Sequence, residues 1–263
     1  WLGDRFGKPA GIGAVSLTTL ILLCSVRWLA PGLFGALRLY DAPFAQAGLL
    51  ADSPGTWLFS VCILAWAATF FQCYFSNVAL RLTSESAKQI TAALLYALVM
   101  ASVIGAGLSL NHLVASSRVD FNFDNLTVNS PGAILCIAGA MVLLWAVFQF
   151  AHRLTAFAGA FALSSTQRLV ALGVAAVPAA ALSFLGGSST APWLQWAFAL
   201  AFAAGLEFFS RWKKPGFGWT WSWLMFMSLF AAVSLYRALV FKVRSLRKTY
   251  AEALTMARDE KGA

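Results

Sequence analysis

Seven apolar runs leave this chain few ways to fold: about Ala10–Trp28, Trp57–Phe75, Ile90–Leu110, Gly132–Phe150, Leu169–Leu185, Trp193–Phe209 and Trp219–Val240. Each approaches the ~20 residues that an α-helix needs to cross the ~30 Å hydrocarbon layer of a bilayer. In that layer the backbone must satisfy its own hydrogen bonds, so continuous apolar runs of this length become helices. They lack the alternation of an outer-membrane barrel strand. The expectation is an all-α, polytopic membrane helix bundle of about seven transmembrane helices over residues 1–241, then a juxtamembrane helix over 242–263. The lipid bilayer is its first partner.

Composition supports this. The chain is 60% hydrophobic and only 11% charged, where a soluble domain carries about 25% charged residues. Its net charge is +9, but the basic residues sit at the ends of apolar runs and in the tail. Nucleic-acid binding needs them gathered on one folded surface, so it is not expected. The first residue is Trp1 rather than Met, and the chain is expected to be an internal piece of a longer product.

The connections differ in character. Residues 29–56 are greasy but broken by Pro31, Gly32, Gly35, Pro43, Gly48, Pro54 and Gly55, a pattern of short interfacial helices or a re-entrant segment. Ser84-Glu85-Ser86 reads as a helix start. In Val114–Ser130, Val119, Phe121 and Phe123 alternate with Asp120, Asn122 and Asp124, which is strand periodicity. Asp120-x-Asn122-x-Asp124 opens like a calcium loop. However, Asn125 stands where the loop needs Gly and Pro131 where it needs a bidentate Glu, so a short interface strand is expected instead. Leu154–Thr166 is either a surface-lying elbow or an extension of a neighbouring span. Pro178 should kink the fifth span.

Chemistry in a membrane announces itself through ionisable residues inside spans, and few are present. Glu207 is the sole acid between Asp124 and Glu252. Arg211 follows four residues later on the same helix face, so an interfacial Glu207–Arg211 pair is expected. His112 and His152 end consecutive antiparallel spans, about 30 Å apart, and cannot ligate one haem together. Cys24, Cys62, Cys73 and Cys136 form no Cys-x-x-Cys pair and read as small packing residues. No catalytic signature, cofactor motif or metal spacing is visible, and no cofactor is expected.

Basic residues do not orient the chain. With seven crossings one face collects Arg5, Lys8, Arg81, Lys88, Arg153, Arg168, Arg211, Lys213 and Lys214. The other has Arg27, Arg38, Arg118 and the seven of the last helix. That near-equal split leaves the positive-inside rule undecided.

The last stretch is distinctive. No Gly or Pro interrupts Trp219 to Lys261, so one helix can run from the membrane into water. Leu239, Val243, Leu246, Tyr250, Leu254 (or Ala253) and Ala257 recur at spacings of about four and three, the seam of a short parallel coiled coil. A surface helix holding anionic headgroups with its Lys and Arg would look similar.

Three stretches carry a resemblance. His112-Leu113-Val114-Ala115-Ser116-Ser117-Arg118-Val119-Asp120-Phe121-Asn122-Phe123-Asp124-Asn125-Leu126, the tail Arg247–Glu260, and Tyr40-Asp41-Ala42-Pro43-Phe44-Ala45 with Ser53-Pro54 together resemble the membrane sensor region of Bacteroidetes-type polytopic sensor histidine kinases. The resemblance implies a module of the bacterial inner membrane. Such a module joins an upstream extracytoplasmic sensor region to downstream phosphoacceptor and ATP-binding domains of a two-component system. It implies a cytoplasmic tail that passes helix rearrangement to a dimeric output through Leu239, Val243, Leu246, Tyr250 and Leu254. Glu207, Arg211, His112, Asp120 and Asp124 are the polar residues most available for function. The tail itself has no His to accept a phosphoryl group. Two other readings stay open: a non-catalytic accessory subunit of a larger membrane complex, and a transporter, which should show inverted repeats and broken helices.

Overall fold

The hub of the bundle is the third helix, which packs against four others. In the computed structural model, which describes residues 8–33, 53–74, 84–116, 131–185, 192–210 and 217–262, seven helices follow one another. They are α1 (Lys8–Leu33), α2 (Pro54–Tyr74), α3 (Glu85–Ser116), α4 (Pro131–Gly159), α5 (Ser165–Leu185), α6 (Pro192–Ser210) and α7 (Phe217–Gly262). No strand occurs among the described residues. Five helices are long and apolar enough to cross a membrane: α2, α3, α4, α5 and α7. The chain is thus a helical bundle built for multiple membrane passes.

α3 packs against α4, α5, α6 and α7, while α2 packs on α4 and carries α1 on its outer side. Ala92, Tyr96, Val99, Met100, Val103, Ile104 and Leu110 are buried in α3, and only a narrow stripe (Ile90, Leu94, Leu98) faces outward. α5 shows how lipid inverts the soluble pattern. Its buried stripe is Ala171, Leu172, Ala175, Ala179 and Ser183, whereas Leu169, Val174, Val177 and Leu185 point out. Lipid tails are as apolar as leucine, so helices gain by facing small residues inward and bringing backbones close.

Contacts between helix ends fix their directions. Trp57, near the start of α2, donates from Nε1 to Ser109 Oγ near the end of α3 (2.8 Å). Phe71, near the end of α2, packs on Phe150 and Phe157 near the end of α4. So α2 and α4 run parallel to each other and antiparallel to α3. The starts of α3 and α5 share one end of the bundle with the ends of α4 and α6 (the proximal end). The tail of α7 leaves from the other, distal end.

Local chemistry sets the boundaries. α2 and α5 open with reciprocal caps. Ser53 Oγ accepts from Thr56 N while Thr56 Oγ1 accepts from Ser53 N, and Ser164 Oγ accepts from Gln167 N while Gln167 Oε1 accepts from Ser164 N. α3 begins at Glu85, directly after Ser84, and Glu85 pairs with Lys88 (2.7 Å). Residues 154–159 extend α4, so the elbow is only the turn 160–164. α1 continues through Pro31 to Leu33, and α5 keeps Pro178 inside one helix. The expected strand around Asp120 and Asp124 and the greasy segment after Leu33 lie outside the described residues.

One glycine is required by close approach. A Cβ at Gly139 of α4 would lie 2.5 Å from Leu58 Cδ2 and 2.7 Å from Trp57 Cζ3. The leucine tip can swing, but the indole is held by Ser109. Gly139→Ala is therefore expected to cost about 1–3 kcal/mol through overpacking. This is measurable as a lowered unfolding midpoint in detergent; an unchanged midpoint would refute the tight α2–α4 contact.

Candidate functional site

The proximal end of the bundle holds a buried ionic cluster. Glu207 lies one turn from the end of α6 and is 6% exposed. Tyr96 of α3, itself 0% exposed, donates from its hydroxyl to Glu207 Oε2 (2.6 Å). Arg168, in the first turn of α5, donates from Nη1 to Glu207 Oε1 (2.9 Å). Each carboxylate oxygen thus has a strong donor, one of them cationic, which is the condition for keeping a charge out of water.

Arg168 also closes the end of α4. Its Nη2 donates to Gly159 O (3.3 Å) and Phe161 O (3.2 Å), and its Nε to Leu163 O (3.3 Å). These carbonyls end or follow α4, where a helix presents unpaired acceptors and partial negative charge. The planar guanidinium fork spans all of them together with the carboxylate, a reach that a lysine ammonium lacks. Three helices and one turn are therefore tied at a single residue.

The sequence points to Glu207 but not to this partner. Arg211, the expected one, lies outside the described residues, as do Asp120 and Asp124. Arg168 stands thirty-nine residues away in the chain and looks like an ordinary span-end cation. The alternation of spans was the available signal, because it places the start of α5 and the end of α6 at one face. Tyr96 gave none, since a tyrosine in an apolar run reads as core.

The other expected residues stay apart from this cluster. His112 is half-buried near the distal end of α3. His152 stacks on Phe148 near the proximal end of α4 (centroids 5.9 Å apart). The two histidines thus sit at opposite ends of the bundle. Next to His152, Arg153 lies over the Phe157 ring at 4.6 Å. Cys136 is buried, while Cys24, Cys62 and Cys73 face outward. Among the described residues no cluster of His, Cys, Asp or Glu has the makeup of a metal site. Of the tail residues, Leu239 is half-buried, and Val243 and Tyr250 are exposed (38% and 69%). The side chains of Leu246 and Leu254 lie outside the described set.

A second polar feature lies toward the distal end, where α3, α6 and α7 meet. Gln195 of α6 is 3% exposed, yet among the described residues neither polar atom of its amide has a hydrogen-bond partner. It sits against Gly107, where a Cβ would be 3.3 Å from Gln195 Nε2 and 3.2 Å from Phe230 Cζ of α7. An orphaned amide in such a place is a local deficit of about 1–3 kcal/mol. Between the two polar features, rings from α6 and α7 interlock: Phe202 with Trp223 (5.0 Å), and Phe198 with Phe226 and Phe230 (5.7 and 5.6 Å).

No family model matches this chain, and neither a curated protein nor a solved structure is significantly similar to it.

Stability changes of both signs are expected. Arg168→Met strands the Glu207 charge and should cost about 3–5 kcal/mol, with Tyr96→Phe costing about 1.5–3 kcal/mol through its lost bond to a carboxylate. A double-mutant cycle with Glu207→Gln should recover part of the Arg168→Met loss. Unfolding of Arg168→Met at the wild-type midpoint would refute the ion pair. Gln195→Leu removes the orphaned amide and should raise the unfolding midpoint.

Proposed function

We propose that this chain is the membrane-embedded transmission module of a bacterial inner-membrane sensor histidine kinase. In this reading, a change in bundle packing at the proximal end is passed by α7 to a dimeric cytoplasmic output. The observation that carries the reading is α7 itself: 46 residues in one helix, beginning among the aromatic rings of the core and ending in a charged tail. A continuous helix transmits rotation or translation that a flexible linker would absorb.

Three features support it. First, α7 is the most weakly held of the long apolar helices: 17% of its apolar stretch is buried, against 44% in α3 and in α4. A helix with few buried contacts moves at low cost. Second, its contact with α3 and α6 passes beside the unsatisfied Gln195, so that interface is not at an energetic optimum. Third, Gly205 lies two residues before Glu207 in α6, and a Cβ there would touch Trp223 of α7 at 3.3 Å. Rearrangement of the ion pair would thus be felt at the start of α7. The reading takes α1 and α6 as crossings too, seven in all, with the termini on opposite faces. The antiparallel run of α6 between α5 and α7 supports this count.

Single cysteines placed along the tail of the full chain, in a background lacking native cysteines, test the coupling. Cross-linking in membranes should peak at Val243, Leu246 and Tyr250 and fall at Arg244, Arg247 and Lys248. The pattern should shift when Glu207→Gln is added at the far end of the bundle. A flat pattern, or one that Glu207→Gln leaves untouched, would sink the proposal.

A further inference from the structure

The tail has a second face, and its chemistry differs from the seam. Ala238 is the last buried residue described in α7 (0% exposed), and from Phe241 onward nearly every described side chain is exposed. At this exit Arg237, Phe241, Arg244 and Lys248 follow one another at helical spacing on one face, with Arg247 beside them. The face lies about half a turn around the helix from Leu239, Val243 and Tyr250. We infer that this basic, aromatic-centred face of α7 binds anionic lipid headgroups where the helix leaves the bundle. This inference does not depend on the signalling role of the helix.

The charge is uncompensated. No acid occurs between Glu207 and Glu252, and among the described residues Arg237, Arg244 and Arg247 have no acidic partner. Lys248 reaches Glu252 only at 3.8 Å, with both side chains largely in solvent, which makes a weak, screened pair. Depth matches as well. From Arg237 to Lys248 the helix rises ~16 Å, and a headgroup layer is roughly 5–8 Å thick on each side of the hydrocarbon. Long basic side chains close the difference by snorkelling. Arg237 then stands at the hydrocarbon edge, Arg244 in the headgroup layer and Lys248 at its outer rim.

Phe241 separates this face from an ordinary solvated one. It is 49% exposed between cations, and Tyr236, five residues before it on the membrane side and on another face of the helix, is 67% exposed. In water these rings would be stranded; at an interface they sit where aromatic residues concentrate. The two faces are also compatible: the basic face continues the stripe of Phe230 and Ser234 that packs on the bundle, so if the seam meets a second copy, the basic face points away from it.

The test is hydrogen exchange across residues 240–252 of the full chain, reconstituted in phosphatidylcholine vesicles with and without phosphatidylglycerol. Protection should rise with the anionic lipid and fall as salt is added. It should weaken by about fivefold for each charge removed in Arg237→Gln, Arg244→Gln and Arg247→Gln, while Glu252→Gln leaves it intact. Should those variants fail to insert, the salt and lipid dependence of the wild type still decides. Equal exchange in both lipids overturns the inference. So does protection that follows protein density rather than lipid charge, which would mean that a second copy covers the face. Protection reproduced by inorganic phosphate in neutral vesicles also overturns it, because that would be a free-anion site.

Discussion

A carboxylate inside a membrane bundle has to be neutralised where it stands, and Glu207 sets the arrangement of the proximal end through that requirement. Its two oxygens take one donor from α3 and one from α5. This fixes the rotation of both helices as well as their separation from α6. The same guanidinium holds three carbonyls at the end of α4 and the turn behind it. Lipid supplies no hydrophobic force pressing helix on helix, so specific bonds and close backbone packing decide which arrangement is reached. A buried pair of this kind is weak evidence for high stability, since an apolar replacement of both partners is often as stable. What it does supply is geometry: α3, α5 and α6 cannot slide independently while it holds.

The remaining interhelical bonds follow the same logic at the distal end. Ser183 Oγ donates to Pro192 O (2.6 Å), joining the end of α5 to the start of α6 across a short connection. Trp196 Nε1 donates to Ala176 O (3.0 Å) near Pro178, where the missing proline N–H already thins the ladder of α5. With Trp57–Ser109 these bonds pin α2, α3, α5 and α6 at their ends. α7 enters none of them among the described residues and is held mainly by ring packing. Among the described residues, α2 to α6 are thus tied by polar bonds, and α7 is seated against them.

That division bears on what the sequence makes legible. The long apolar helices are readable because continuous hydrophobicity is a local property, and the seven runs lie within the seven helices apart from a residue at the end of α2. Helix ends are partly readable: Ser84-Glu85-Ser86 marks the start of α3, yet residues 154–159 are apolar enough to be elbow or helix. The partner of Glu207 is unreadable by local rules. The i,i+4 pattern offers Arg211, whereas the ion pair is made by tertiary packing of two antiparallel helix ends. Tyr96 and Gln195 are hidden for the opposite reason, since each is a single polar group in an apolar run. Only the packed bundle separates one with a buried bond from one with none.

The contrast between those two residues is the physical basis for the proposal that signals pass through α7. Tyr96 makes a short bond to a charge, so displacing it costs the bond and exposes an unpaired carboxylate oxygen. Gln195 makes no bond among the described residues, so a displacement of α7 past it breaks no hydrogen bond of that amide there. On the proposed reading, a bundle that is satisfied where α3, α5 and α6 meet, and unsatisfied where α7 meets α3 and α6, lets α7 shift at less cost than those three. Since α7 continues unbroken beyond the last buried residue, any movement there is carried into the tail at full amplitude.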